Sequence, residues 1–252
     1  TGAQTLGAAV TFNNIEVNKS AGTLSQNANC TINGTLTMTT GAYNVGNYVI
    51  SLGVSPTTFS ATGGDIQFGT TGISPPAFSS FSITGGTVTL NANGTQTLRP
   101  GISYYNVVLG NTSAKTLTNV TSIQKNLTLE GSATMTGNSA MTIGGTLTYN
   151  SSGTSTLSAS TNISLGNFNQ SAGTFVDYGN TLILTDSLWT RSGGTFTATG
   201  QVTMSGATNK NISGTPTTFS KLYKQGNCTV TQLTDAIINA ELNISSGTFN
   251  VG

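Results

Sequence analysis

The feature that most constrains this chain is alternation with a period of two. In TLTMT (35–39) and TVTL (87–90), apolar and hydroxyl side chains alternate strictly. Successive side chains of a β-strand point to opposite faces, so such a run has one buried and one exposed face. The runs are short and close on Gly, Asn or Ser, which favour tight turns. No stretch shows a capped 3.6-residue period. AIINAELNI (236–244) has the propensity of a helix, but its match to NCTINGTLTM (29–38) predicts strand. Composition agrees with this reading. Thr is β-branched and suits a pleated surface, and Gly and Asn suit positive φ. The strict alternation rules out low-complexity disorder.

The second constraint is repetition. GTLTMTTGAYNVG (34–46) returns as AELNISSGTFNVG (240–252), and GAQTLGAAVTFNNIEV (2–17) returns as GTQTLRPGISYYNVVL (94–109) at an offset of 92. A weaker third copy of the latter is NISGTPTTFSKLYK (211–224). The chain therefore reads as one β-rich unit over 1–252. Its modules lie near 2–46, 94–137 and 206–252, with β-rich spacers at 47–93 and 138–205. The last module is expected to close at Gly252. Because the first residue is Thr1 and no signal peptide is present, the chain is expected to be a segment of a longer protein.

Many short strands in an open-ended repeat predict an all-β fold, a right-handed parallel β-helix (β-solenoid) with irregular internal repeats. Coils of about 20–25 residues would give roughly 10–12 coils and a rod about 50–60 Å long. Inward apolar residues should stack in rows, with the aromatics Phe12, Tyr43, Tyr104, Phe219 and Phe249 inside or capping them. Asn14 and Asn106 are expected at turns, where asparagines can form ladders along the axis. Cys30 and Cys228 occupy different places in the repeat and read as buried small residues.

Chemistry is sparse. Charged residues make up 6% of the chain and the net charge is +1, so no field draws it to nucleic acid or an anionic membrane. No stretch approaches the apolar length of a membrane helix. The absence of histidine removes Ser-His-Asp and Cys-His catalysis and the commonest metal ligand. The seven carboxylates, Glu16, Asp65, Glu130, Asp177, Asp186, Asp235 and Glu241, form no local pair for glycoside hydrolysis. No cofactor, metal site or enzymatic activity is expected, and a polysaccharide-degrading β-helix is the least favoured alternative. Lys210, Lys221 and Lys224 read as a solvated basic face.

Two surface features leave a binding alternative open, to ice or to a glycan. Trp189, the only tryptophan, lies beside Arg191 in DSLWTRSGG, where an exposed ring could stack on a sugar. A ring packed in the core is the competing reading. Thr-x-Thr occurs at 35/37, 87/89, 134/136, 146/148 and 195/197. An ice-binding face needs that motif on successive coils in one file. At these irregular spacings the motif reads instead as ordinary outward Thr on a β-surface.

FNNIEV (12–17) and TINGTLTMTTGAYNVG (31–46) resemble the β-helical repeats of very large Bacteroidota surface proteins. The resemblance implies a secreted or cell-surface adhesin or structural stalk, exported by the type IX route and active outside the cell. It also implies possible O-glycosylation at Asp-Ser/Thr before an apolar residue, a pattern matched once, at Ser187 in Asp186-Ser187-Leu188. A turn with a surface serine is the preferred reading of that triplet. The expected function is thus a rigid stalk or attachment surface. Its expected partners are neighbouring coils, other copies of itself, or surface polysaccharide.

Overall fold

A computed structural model describes residues 2–54, 56–137, 139–157 and 162–251. Gly252, where the third module was expected to close, lies outside the described residues. Among these residues every regular element is a β-strand, and the strands pair in parallel. They stack in about 12 turns of a β-solenoid. Partners on successive coils lie 19 residues apart between Val88 and Val107 and 24 apart between Gly72 and Gln96. At a strand spacing of ~4.8 Å the stack is about 55–60 Å long.

Each coil carries three strand segments, which stack into three faces. On the first face Ile15 pairs with Leu36, Leu36 with Phe59 and Phe59 with Phe81. Further along, Ile163, Leu182, Val202, Leu222 and Leu242 continue the same kind of file. The second face holds an inward file from Tyr43 through Ile66, Val88, Val107, Leu127, Leu147, Phe168 and Trp189 to Ile212. The third face is made of short strands such as Cys30–Ile32, Gln96–Leu98 and Thr174–Val176. Alternation in sequence becomes alternation in burial: in Thr35–Gly46, Leu36, Met38, Tyr43 and Val45 are buried and their neighbours are not. Ala236–Ile244, the segment with helical propensity, is a strand paired with Thr217–Lys224. Tyr104 and Phe219 are fully buried, while Phe12 and Phe249 pack against the core as partly buried residues.

The module alignment and the coil are different periods. Thr5 and Thr97, matched at the offset of 92, fall on different faces: Thr5 lies beside Ser25 on the second, Thr97 beside Ile73 and Thr116 on the third. Asparagines do stitch the coils, but through the backbone. Asn14 Oδ1 accepts from Thr35 N at 2.8 Å, Asn106 Oδ1 from Asn126 N at 3.2 Å, and Asn126 Oδ1 from Thr146 N at 3.0 Å. Each amide thus satisfies an N–H of the next coil where a strand begins or its register shifts.

Gly-Gly pairs mark the corner between the first and second faces. Gly86 has φ +79°, and a Cβ there would lie 2.6 Å from Gly63 O and 2.7 Å from Gly64 O. Gly101 has a similar φ of +74° with nothing within 4 Å of its notional Cβ. Gly101→Ala should therefore cost only the backbone term, about 1–3 kcal/mol. Gly86→Ala should cost clearly more, because the preceding coil must move as well. Thermal melts followed by circular dichroism compare the two. Equal losses would show that coils do not approach so closely at this corner.

Candidate functional surfaces

Trp189 is a core residue. It is fully buried, its ring stacks on Phe168 at 4.3 Å, and Phe196 and Phe219 close around it at 5.0 and 5.2 Å. A sugar-stacking ring must show a face to solvent, and this one shows none. Arg191 also points inward. Its guanidinium donates to Gln170 Oε1 at 3.1 Å, Pro216 O at 3.0 Å and Gly194 O at 2.6 Å, and it is 6% exposed. The two residues proposed as a glycan contact alternate with Leu188 and Thr190, the outward members of that strand, and both face the core. Ser187 lies in the turn between Thr181–Leu184 and Leu188–Arg191, half-buried, with its N–H bonded to Asn167 Oδ1 at 3.0 Å.

The basic residues were expected on a solvated face. Lys221 is exposed, but Lys210 and Lys224 are fully buried, as is Lys115. Each ends in a cup of backbone carbonyls. Lys115 Nζ donates to Ala92 O, Thr112 O and Gly94 O at 2.8, 2.8 and 3.1 Å. Lys210 Nζ reaches Thr185 O and Thr208 O, both at 3.0 Å, and Lys224 Nζ reaches Gly226 O and Ser246 O at 2.6 and 2.7 Å. Turn carbonyls that face inward need donors, and a lysine entering from an inward strand position brings three. The ammonium cost is visible in Lys115, where burial lowers the amine from its ordinary 10.5 to about 8.

Asp177 plays the complementary part. Its buried carboxylate accepts from Thr199 N at 2.8 Å, Thr199 Oγ1 at 2.7 Å and Gly200 N at 3.0 Å. It pins two coils together. Among the described residues no three of His, Cys, Asp and Glu gather where they could hold a metal. Cys30 and Cys228 are both buried and unbridged, in keeping with their reading as small core residues. No helix among the described residues is long and apolar enough to cross a membrane.

The third face carries the feature that spacing along the chain concealed. Six consecutive strands there read QTL (Gln96–Leu98), AKT (Ala114–Thr116), TMT (Thr134–Thr136), TST (Thr154–Thr156), TFV (Thr174–Val176) and TFT (Thr195–Thr197). Their central residues from Lys115 to Phe196 face the core, and the flanking ones face outward. Thr116 pairs with Thr97 and Thr136, Thr134 with Ala114, Thr174 with Thr154 and Thr195, and Val176 with Thr156 and Thr197. Between Thr134–Thr136 and Thr154–Thr156 the ladder is replaced by a side-chain bridge, Met135 N to Ser155 Oγ at 2.7 Å. The result is two outward files, nine threonines with one alanine and one valine. By contrast, Thr35/Thr37 lie on the first face, and Thr87/Thr89 and Thr146/Thr148 on the second.

No family model, curated protein or solved structure matches the chain. The fold defines it as a β-solenoid, and what it does must be argued from its own surfaces.

Proposed function

We propose that this chain is a structural and adhesive segment of an extracellular surface or filament protein, acting as a rigid stalk or attachment surface. The observation that carries the reading is the unbroken inward file of the second face, nine coils from Tyr43 to Ile212 in register. In such a stack each coil is stabilised by its neighbours, so length is gained by repetition without a larger core. Aromatic packing across coils, asparagine stitches and the lysine cups all bind one coil to the next, which resists bending and fraying. The uncharged hydroxyl cover suits lateral association with a second copy of the chain. This is the role implied by the likeness of FNNIEV and TINGTLTMTTGAYNVG to surface-protein repeats.

Pulling the chain from its two ends in a single-molecule force experiment tests the reading. Stepwise release is expected, each step lengthening the chain by about one coil, roughly 20 residues at ~3.4 Å each. Complete extension in one low-force event would sink the stalk reading. Release of soluble fragments from a polysaccharide panel would replace it with the enzymatic one.

A further inference from the structure

We propose that the threonine face between Thr97 and Thr197 is a binding site for ice. The inference goes beyond the stalk reading and does not depend on it.

A ligand for this surface must repeat in two dimensions, because the surface does. Along the axis, outward threonines recur at the strand spacing of ~4.8 Å within two ladders, Thr97 to Thr136 and Thr154 to Thr197, joined at the Met135–Ser155 bridge, and across a strand residues i and i+2 stand ~6.6–6.8 Å apart. Crystalline water presents oxygen atoms in a rectangular net of closely similar dimensions. Each threonine offers both a hydroxyl that can bond such an oxygen and a methyl that orders the water around it. The two departures, Ala114 and Val176, keep an apolar group and lose only the hydroxyl. Along the file, Thr136 Oγ1 donates to Thr116 Oγ1 at 3.3 Å, which holds those hydroxyls in line.

Charge and stiffness point the same way. The only ionisable side chain in the six strands is Lys115, which is turned inward into its carbonyl cup. An outward charge would hold liquid water and resist a crystal surface. Behind the outer rows, Phe175 and Phe196 stack with centroids 6.3 Å apart, so the last two strands rest on an aromatic pair. A flexible glycan chain repeats in one dimension and is gripped through aromatic or charged groups, and this face presents neither. Individual contacts with a lattice are weak. Six rows engaging together hold it through effective concentration.

The test is ice-affinity partition of the 252-residue chain, with microscopy of ice crystal shape and recrystallisation. The intact chain is expected to enter the ice fraction, facet crystals and slow their coarsening. Thr156→Lys, in the middle of the face, should weaken each effect by about tenfold or more, since one charge lifts the rows on both sides. Thr128→Lys, outward on the second face, should behave as the unaltered chain. Circular dichroism melts confirm that both variants fold. Exclusion of the folded chain from ice overturns the proposal, as do equal effects of the two lysines. Retention on crystalline cellulose or chitin with no effect on ice also overturns it, and reassigns the face to a polysaccharide lattice.

Discussion

Replacing Trp189 with alanine is expected to lower the stability of the rod by about 3–5 kcal/mol, the range for removing a large aromatic from a packed core. The ring is fully buried and bridges coils: Phe168 is its ladder partner on one side and Ile212 on the other. Removing it leaves a cavity that the stiff ladders cannot close. In a solenoid the damage is not confined to one coil, because nearest-neighbour contacts carry much of the stability. The denaturation curve, followed by circular dichroism, should therefore shift to lower denaturant and broaden as the two halves uncouple. Trp189→Phe supplies the second arm. Trp189 Nε1 is buried with no hydrogen-bond partner among the described residues. A buried donor left in this way costs about 1–3 kcal/mol, and phenylalanine removes that cost while keeping most of the ring contact. Its loss should be well below that of alanine. A Trp189→Ala chain that unfolds at the concentration of the parent would place the ring outside the core.

The architecture was legible because it rests on local rules. Period-two alternation in TLTMT names Leu36 and Met38 as inward, and both are buried. The alignment of AIINAELNI with a strand overrode its propensity, and the segment is a strand. Asn14 and Asn106 were expected at turns, with ladders between asparagine side chains; Asn14 lies at a turn, Asn106 opens the strand Asn106–Leu109, and each amide oxygen takes a backbone N–H of the next coil instead of another asparagine side chain. The surfaces were not legible, because they depend on which residues stack, and stacking follows the coil rather than the chain. Thr154-Ser155-Thr156 and Thr174-Phe175-Val176 fill the rows between Thr136 and Thr195, which restores a file where spacing along the sequence showed a gap. Trp189 and Arg191 are two residues apart on one strand, so whichever face takes one takes both. The bulk of Trp189 had a place in an aromatic layer made by Phe168, Phe196 and Phe219, which lie on its own coil and on the coils before and after it. The lysines misled for a related reason. Exposure is the rule for lysine, and a cup of turn carbonyls is assembled only when coils stack. A signal was present: Lys115 stands between Ala114 and Thr116 at the inward position of a strand, where alternation assigns it to the core.

Lys115 gives the second large effect. Lys115→Met keeps the stem and removes the three donors that satisfy Ala92 O, Gly94 O and Thr112 O. Stranded acceptors cost about 1–3 kcal/mol each, and relief of the desolvated ammonium offsets part of that, leaving a net loss of roughly 2–4 kcal/mol at neutral pH. The pH dependence separates this role from simple packing. Burial lowers the folded-state value of Lys115 to about 8, below the ordinary 10.5 of the unfolded chain. Between those values the unfolded chain holds a proton that the folded chain has released, so stability rises with pH through this window. Below about pH 8 both states are protonated and the contribution is flat. Burial raises Tyr43 and Tyr104 above the usual tyrosine range, which opposes folding as pH climbs past about 10. Those tyrosines are common to both proteins, so their effect cancels when Lys115→Met is subtracted from the parent. The difference in unfolding free energy between parent and variant should therefore grow steadily from pH 8 to pH 10.5. A difference that stays constant across that range would mean that Lys115 titrates as it does in solvent, and that the carbonyl cup does not enclose it.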